Sequence, residues 1–402
     1  MLTRAMPAHG KGGVEDHAMM LAKGIVNKGH SVTVITTGHP DKDHEFVDGV
    51  NIYYLKKTIP RTYSKSWWIE SVKKVLELHE LSKFDLLHSQ SIGGYYFLIR
   101  KFNRKYNLPT VVSLHGTPLD EIISRINIIK SGLPKIRLKD LLAILYWIEQ
   151  YLFAYLRYIP KADAVIATSN EQEQTIKSIF FLNEKKLYKV FNGMDLSLFS
   201  PRIDIGNLRE RLGICDKTKV LLCVARFVPD KGIDNVIRAL PIILKRHKEL
   251  KLVLVGDGEL RDYLTCLTHK LGIIDYVSFQ GYVDFNELPK YFNLCDIFIN
   301  ATIRRNSYDL TMLEAMACQK VVVSSNIGST PTLIENGING VLVTVGNEKV
   351  LAEEVVKILD NPRLAHEIGE KARQKALKFF SLDRMVEETI KVFETAIMNK
   401  QQ

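Results

Sequence analysis

Short β-branched runs punctuate this chain. Polar turns and apolar stripes of helical period follow them. Ser31 to Thr37, Thr110 to Leu114, Ala164 to Ser169, Val220 to Ala225, Leu252 to Val255 and Lys320 to Ser325 are such runs. Their brevity and apolar character fit strands of a buried parallel sheet. Ala18, Leu21, Ala22 and Ile25 recur at helical spacing, as do Ile233, Val236, Ile237 and Leu240. Strand, helix and strand make a βαβ unit, and its repetition demands an α/β fold with open parallel sheets. Phe84 to His88 and Lys189-Val190-Phe191 read as further strands. Met1-Leu2-Thr3 reads as the tail of a longer strand, so an upstream piece is expected. The 402 residues are long for one core, and two domains are expected. Neither half carries G-x-G-x-x-G after its first strand, which weighs against a dinucleotide-dependent redox enzyme.

In such sheets ligands sit beyond the carboxyl ends of the strands, so the loops there carry the candidates. Gly12-Gly13 marks the first strand-to-helix turn, where glycine lets a ligand approach the backbone. His115 follows the Thr110–Leu114 run. Arg226 and Lys231 follow Val220–Ala225, a fork and a point charge that suit a diphosphate. Asn306 to Asp309 is a polar turn before a helix from Leu310 to Ala317, and Gly328-Ser329-Thr330-Pro331 is a second helix entrance. Two helix starts beside one strand favour an anion. Glu314, among Leu310, Met312, Leu313, Ala315 and Met316, is a carboxylate that needs a partner. Each feature has a plain alternative: a flexible turn, a hydrogen-bonded core histidine, solvated basic side chains, or a glutamate on a wet face.

Charge narrows the partners. The chain has 55 basic and 45 acidic residues, a net charge of +10. That suits an anionic ligand or an anionic membrane surface. No dense basic run or recognition motif points to nucleic acid. The 5 cysteines all lie in the second half without a C-x-x-C pair, so reduced thiols are expected rather than disulfides or a metal site. No secretory leader is evident. The window Leu141 to Ile159 contains Glu149, Gln150 and Arg157 and is not read as spanning. Leu141, Leu145, Ile148, Leu152 and Ile159 read as a core stripe, with Trp147 and Tyr151 on another face. Arg125, Lys130, Lys135, Arg137 and Lys139 precede them, and basic residues beside extra aromatics also suit an interfacial surface.

From Leu310 to Ser325 the sequence, LTMLEAMACQKVVVSS, resembles the donor-binding signature of retaining GT-B glycosyltransferases of family 4. The resemblance extends to GGVE at Gly12–Glu15, to His115-Gly116, to R-x-x-x-x-K-G from Arg226, and to N-G-x-D-x-x-x-F-x-P from Asn192 to Pro201. It spans roughly residues 3 to 395. It implies two Rossmann-like doubly wound parallel-sheet domains facing a central cleft: residues 1–202 on the acceptor side, 203–378 on the donor side, and 379–402 as a helix crossing back to the first.

The implied reaction moves a sugar from a nucleotide diphosphate-sugar to a hydroxyl of a glycan or lipid-linked saccharide, without metal or cofactor. Cysteine usage points to a cytoplasmic setting, and the basic residues of 125–139 with the aromatics after them to a peripheral place at the inner face of the membrane as a further expectation. Residue by residue, the resemblance gives His115 to the donor sugar, Arg226, Lys231 and the Gly12-Gly13 backbone to the diphosphate, Glu314 to the ribose, and the turn at Tyr282 to the base. Asn306, Asp309, Leu310 and Thr311 form the donor loop. This chain departs from the pattern there. Asn306 replaces the first glutamate, Asp309 replaces a glycine, and Thr332 replaces the glutamate of the last loop. Asp309 could therefore supply the missing acceptor for a sugar hydroxyl. His88 resembles a D-x-x-H element and divides evenly between core and site, and Glu15 has no assigned role. A same-fold nucleotide-sugar isomerase, or a binding protein impaired in transfer, is the alternative.

Overall fold

The structure, a computed structural model, describes residues 1–10, 13–130, 138–305 and 309–401. Gly12, Lys135, Arg137 and Asn306 lie outside the described residues. The chain forms two compact units. One comprises Met1–Leu119, Leu145–Met194 and Ser381–Gln402, and the other Asp120–Ile144 and Asp195–Phe380.

The first unit holds β1 (Val32–Thr37), β2 (His44–Val47), β3 (Val50–Leu55), β4 (Leu87–Gln90), β5 (Thr110–Leu114), β6 (Ala164–Ala167) and β7 (Leu187–Lys189). They lie in the orders β2-β3-β1 and β4-β5-β6-β7, and only β2 runs antiparallel to its neighbour. Residues 1–3 join the two groups. The Leu2 amide donates to the His88 carbonyl at 2.8 Å, and the Gln90 amide donates to the Leu2 carbonyl at 2.9 Å. On the other side the Ile35 amide donates to the Met1 carbonyl at 2.9 Å. The Gly13–Asn27 helix buries Ala18, Leu21, Ala22 and Ile25 in one core with Met385, Val386 and Val392 of the Leu382–Gln401 helix. The last helix therefore belongs to the first unit.

The second unit holds β8 (Lys219–Val224), β9 (Leu250–Val255), β10 (Val277–Gly281), β11 (Ile297–Asn300), β12 (Val321–Ser325) and β13 (Val341–Val343). All pairs are parallel, in the order β10-β9-β8-β11-β12-β13. Leu221, Leu252, Leu254, Ile297, Ile299, Val321 and Val323 are buried, each gaining about 1.5–3 kcal/mol from leaving water. Chain order runs outward from β8 through β9 to β10, then resumes at β11 on the other side of β8. That reversal creates a crevice at the carboxyl ends of β8 and β11.

Two expectations change. Residues 120–130 and 138–144 group with the second unit, whereas the 1–202 assignment had placed them in the first. Side chains of the Pro118–Lys130 helix bind the loop after β11, and this draws the segment to the second unit. The 141–159 stripe is not a core stripe either. Leu141, Leu145, Ile148 and Leu152 are 51%, 63%, 40% and 48% exposed, and only Ile159 is buried. The Leu138–Glu149 helix passes into a π-helical segment, Gln150–Tyr155. A π turn carries an extra residue, so the phase of the stripe changes, and Ala154, Tyr155 and Tyr158 face the core instead.

Candidate donor-binding site

The loops after β8 and β11 meet at the crevice of the second unit. After β8 the chain passes Arg226, a short 3-10 turn at Pro229–Lys231, and Gly232, before the Ile233–Leu244 helix. Gly232 has φ 61°, and a Cβ there would stand 2.1 Å from the Ala301 carbonyl oxygen, so only glycine lets the two loops press together. The Ile303 amide donates to the Asp230 carbonyl at 3.0 Å, and the Thr302 hydroxyl donates to the same oxygen at 3.0 Å.

Lys231 does not stand free. Its ammonium donates to one carboxylate oxygen of Asp309, and Asn300 Nδ2 donates to the other at 2.9 Å. Burial alone would raise the Asp309 carboxyl; the Lys231 charge, with help from Asn300 and Arg304, outweighs it and holds the group below the ordinary carboxylate range. Asp309 is also the N-cap of the Leu310–Ala317 helix, yet makes no side-chain cap, because both oxygens are engaged elsewhere. The carboxylate proposed from sequence as a sugar acceptor is thus turned onto Lys231, which the sequence reading gave to the diphosphate. Arg226 contrasts with it. It is exposed, and no hydrogen bond or ion pair engages its guanidinium among the described residues.

A third cation, Arg304, was not foreseen. Its guanidinium reaches Glu121 at 2.8 Å and Asp230 at 3.5 Å. Arg305 pairs with Asp120 at 3.3 Å, and Asn127 Nδ2 donates to the Ile303 carbonyl at 3.0 Å. The Pro118–Lys130 helix thereby holds the loop that leads to Asp309. No local signal marks these pairs, whose members stand about 180 positions apart. Asn300 was visible in principle, as a polar residue closing the apolar strand I-F-I-N.

Glu314 is buried within the Leu310–Ala317 helix, 5% exposed, so it does not lie on a wet face. Leu310 opens that helix, and the Thr311 hydroxyl has no hydrogen-bond partner among the described residues. Tyr282 follows β10 and is 61% exposed. It lines a cavity of about 310 Å³ with Ile205, Arg211, Gln280, Lys290 and Tyr291. Arg226, Lys231, Asp309 and Glu314 are not among that cavity's lining residues.

The first unit places its candidates at the carboxyl end of β5. His115 Nε2–H donates to Gln90 Oε1, and the His17 ring meets the His115 ring edge-on at 4.6 Å. Burial drives all three central histidines towards the neutral form: His17 down to about 4, His88 down to about 3, and His115 well below its ordinary value. His115 is therefore a neutral hydrogen-bonding group, not a cation. His88 is a core residue, bonded through Nε2 to the Ser113 hydroxyl at 2.8 Å and packed on Phe393. Glu15 pairs with Arg61 at 2.7 Å, which gives it a structural role. Gly13 begins its helix. His17 was missed from sequence because nothing local distinguishes it from any other polar residue on a helix.

Two family descriptions match the chain in tandem. "Glycosyltransferase Family 4" covers residues 11–198, and "Glycosyl transferases group 1" covers residues 204–375. The chain belongs to the group 1 glycosyltransferases. An uncharacterized glycosyltransferase of Methanocaldococcus jannaschii, MJ1607, is 29% identical over 99% of this chain and 98% of its own. Among solved structures, sucrose-phosphate synthase from Thermosynechococcus elongatus aligns with a TM-score of 0.76 at 19% identity, covering 99% of this chain and 96% of its own. Anabaena HepE, in complex with UDP-glucose, aligns with a TM-score of 0.70 at 20% identity, over 97% and 98%. These neighbours share the GT-B fold, and so does this chain.

Proposed function

We propose that this glycosyltransferase moves a sugar from a nucleoside diphosphate-sugar to a hydroxyl acceptor, a glycan or a lipid-linked saccharide, with retention of configuration and without a metal. One observation carries the reading. An uncommitted guanidinium, Arg226, and the ammonium of Lys231 share the loop at the switch point of the second unit, where the Leu310–Ala317 helix also begins. The UDP-glucose bound by HepE supports a diphosphate-sugar as the donor class.

The chemistry asked of the site is charge handling. The bond from the anomeric carbon to the β-phosphate oxygen breaks, a bond from the acceptor oxygen forms, the acceptor hydroxyl gives up its proton to the departing phosphate oxygen or to solvent, and the diphosphate gains negative charge as it leaves. Arg226, Lys231 and the helix start stabilise that charge. Buried Glu314 accepts hydrogen bonds from ribose hydroxyls. The turn at Tyr282 is assigned to the base, and the Gly12-Gly13 backbone to the diphosphate. Neutral His115 acts on the sugar as a hydrogen-bonding group.

Asp309 favours a second reading, a protein that binds nucleotide sugars but transfers slowly or isomerises them, because it already occupies Lys231. Thermal-shift screening with nucleoside diphosphates and their sugars, followed by product analysis with and without saccharide acceptors, tests both. A donor that stabilises the protein and is consumed only with acceptor supports transfer. Stabilisation with no transfer to any acceptor supports the second reading. No stabilisation by any nucleotide overturns both.

A further inference from the structure

Gln90 closes β4 and is 2% exposed. Its backbone is bonded on both sides. The amide donates to the Leu2 carbonyl at 2.9 Å, and the carbonyl accepts from the Tyr63 hydroxyl at 2.8 Å and from the Gly93 amide at 3.1 Å. The main chain there has one place, and the side chain is aimed from it. Gln90 pairs with Ser113 across β4 and β5, and its Oε1 meets His115, two residues further along. His88 makes the same diagonal step one pair earlier: it pairs with Val111 and bonds the Ser113 hydroxyl. Residues two apart on a strand share a face, so a polar row runs forward to the carboxyl edge of the sheet. His88, Ser113 and Gln90 are buried, and His115, at the end of the row, is partly exposed.

Gln90 decides the state of that last member. An amide oxygen can only accept a hydrogen bond. With Oε1 against Nε2 of a neutral ring, the ring proton belongs on Nε2 and the lone pair on Nδ1. The amide nitrogen of Gln90 lies 4.0 Å from the Met1 sulfur, a weak acceptor. His17 meets the His115 ring edge-on at 4.6 Å and is itself hydrogen-bonded to Asn192, so the tilt of the ring is held from a second direction. Burying an amide is costly unless its hydrogen bonds are made, and the strongest that this side chain makes is the one to His115.

We propose that Gln90 is a positioning residue: it holds His115 in the Nε2–H tautomer and in one orientation, and sugar transfer depends on it although it does not touch the donor. This rests on the proposed transfer reaction with His115 at the sugar, and deepens it by placing control of the histidine one layer inside the sheet.

Two measurements on the full-length protein test it, and the first needs no activity. Long-range proton–nitrogen NMR correlation of protein labelled in its histidine rings, with the His115 signals identified by their loss in His115→Ala, is expected to show a protonated Nε2 and a bare Nδ1. Gln90→Glu, which can still accept, keeps the proton on Nε2, and Gln90→Met gives a mixture of tautomers. A wild-type ring protonated at Nδ1 overturns the proposal whether or not the protein transfers sugar. The second measurement is a double-mutant cycle on turnover. Gln90→Met is expected to lower kcat at least about tenfold, with donor KM, nucleoside diphosphate affinity and melting temperature close to wild type. In a His115→Ala background the same change has no further effect. Equal losses in both backgrounds would make Gln90 a purely structural residue and overturn the proposal, as would unchanged turnover in Gln90→Met. A wild type that binds no nucleoside diphosphate and transfers no sugar refutes the transferase reading and the turnover half of this proposal with it, while the tautomer still decides whether Gln90 sets His115.

Discussion

Arg226 and Lys231 stand five positions apart in one loop, yet on the proposed reading they would meet a diphosphate from different states. Arg226 is uncommitted, so its replacement by alanine removes a charge-assisted contact and nothing else. Calorimetric titration with the preferred nucleoside diphosphate is expected to show a loss of about 1.5–3 kcal/mol. Lys231 must first leave Asp309. Asp309→Gly releases the lysine and removes a carboxylate that repels phosphate, so the same titration should show tighter binding, by about 1 kcal/mol or more. Unchanged affinity would mean that the diphosphate does not compete with Asp309. Transfer rate and sugar preference in that variant then report whether the carboxylate also serves the sugar.

The histidines give a pH prediction at the same scale. Burial depresses His17 to about 4 and His88 to about 3, while the unfolded chain binds protons near 6.5. The unfolded state therefore gains protons first. Stability is complete above about pH 6.5 and declines as pH falls towards the folded values, by up to about 1.4 kcal/mol per pH unit for each histidine. Urea denaturation between pH 7 and 5, above most carboxylate titration, should show the decline, and His88→Gln should flatten it.

At the scale of elements, the Pro118–Lys130 helix and the loop after β11 act as one piece. Arg304→Ala leaves Glu121 and Asp230 without their shared cation. Partial exposure of the pair limits the loss to about 1–2 kcal/mol, and the effect should be local. Amide exchange is expected to speed up in 118–130 and in the loop at 301–305, with β8 and β12 protected as before. Uniform acceleration through the whole second unit would contradict that division.

Legibility from sequence follows from the same division. The strand runs and the Arg226–Lys231 spacing are local, and local pattern specifies them. The Lys231–Asp309 and Arg304–Glu121 pairs depend on which loops converge at the switch point, and no window of residues contains that. The 141–152 stripe shows a different limit. Periodicity identifies which face is apolar and says nothing of what covers it, so a stripe read as core turned out exposed.

For the whole molecule, cationic side chains at the switch point are expected to do the work that a divalent ion does elsewhere. Donor consumption with acceptor should therefore survive EDTA. Complete loss on chelation, restored by magnesium or manganese, would show that a divalent ion takes part.

The allegiance of residues 120–144 to the second unit bears on how this enzyme can be taken apart. Its chain changes unit after Leu119, Ile144, Met194 and Phe380, so no single cut separates the halves. A chimera that imports a foreign second unit by exchanging 195–380 alone would keep Asp120 and Glu121 but lose Arg304 and Arg305, their partners. Exchanging the second unit between such enzymes thus calls for two inserts moved together, 120–144 with 195–380, and the shorter insert is the one a linear reading of the gene would leave behind.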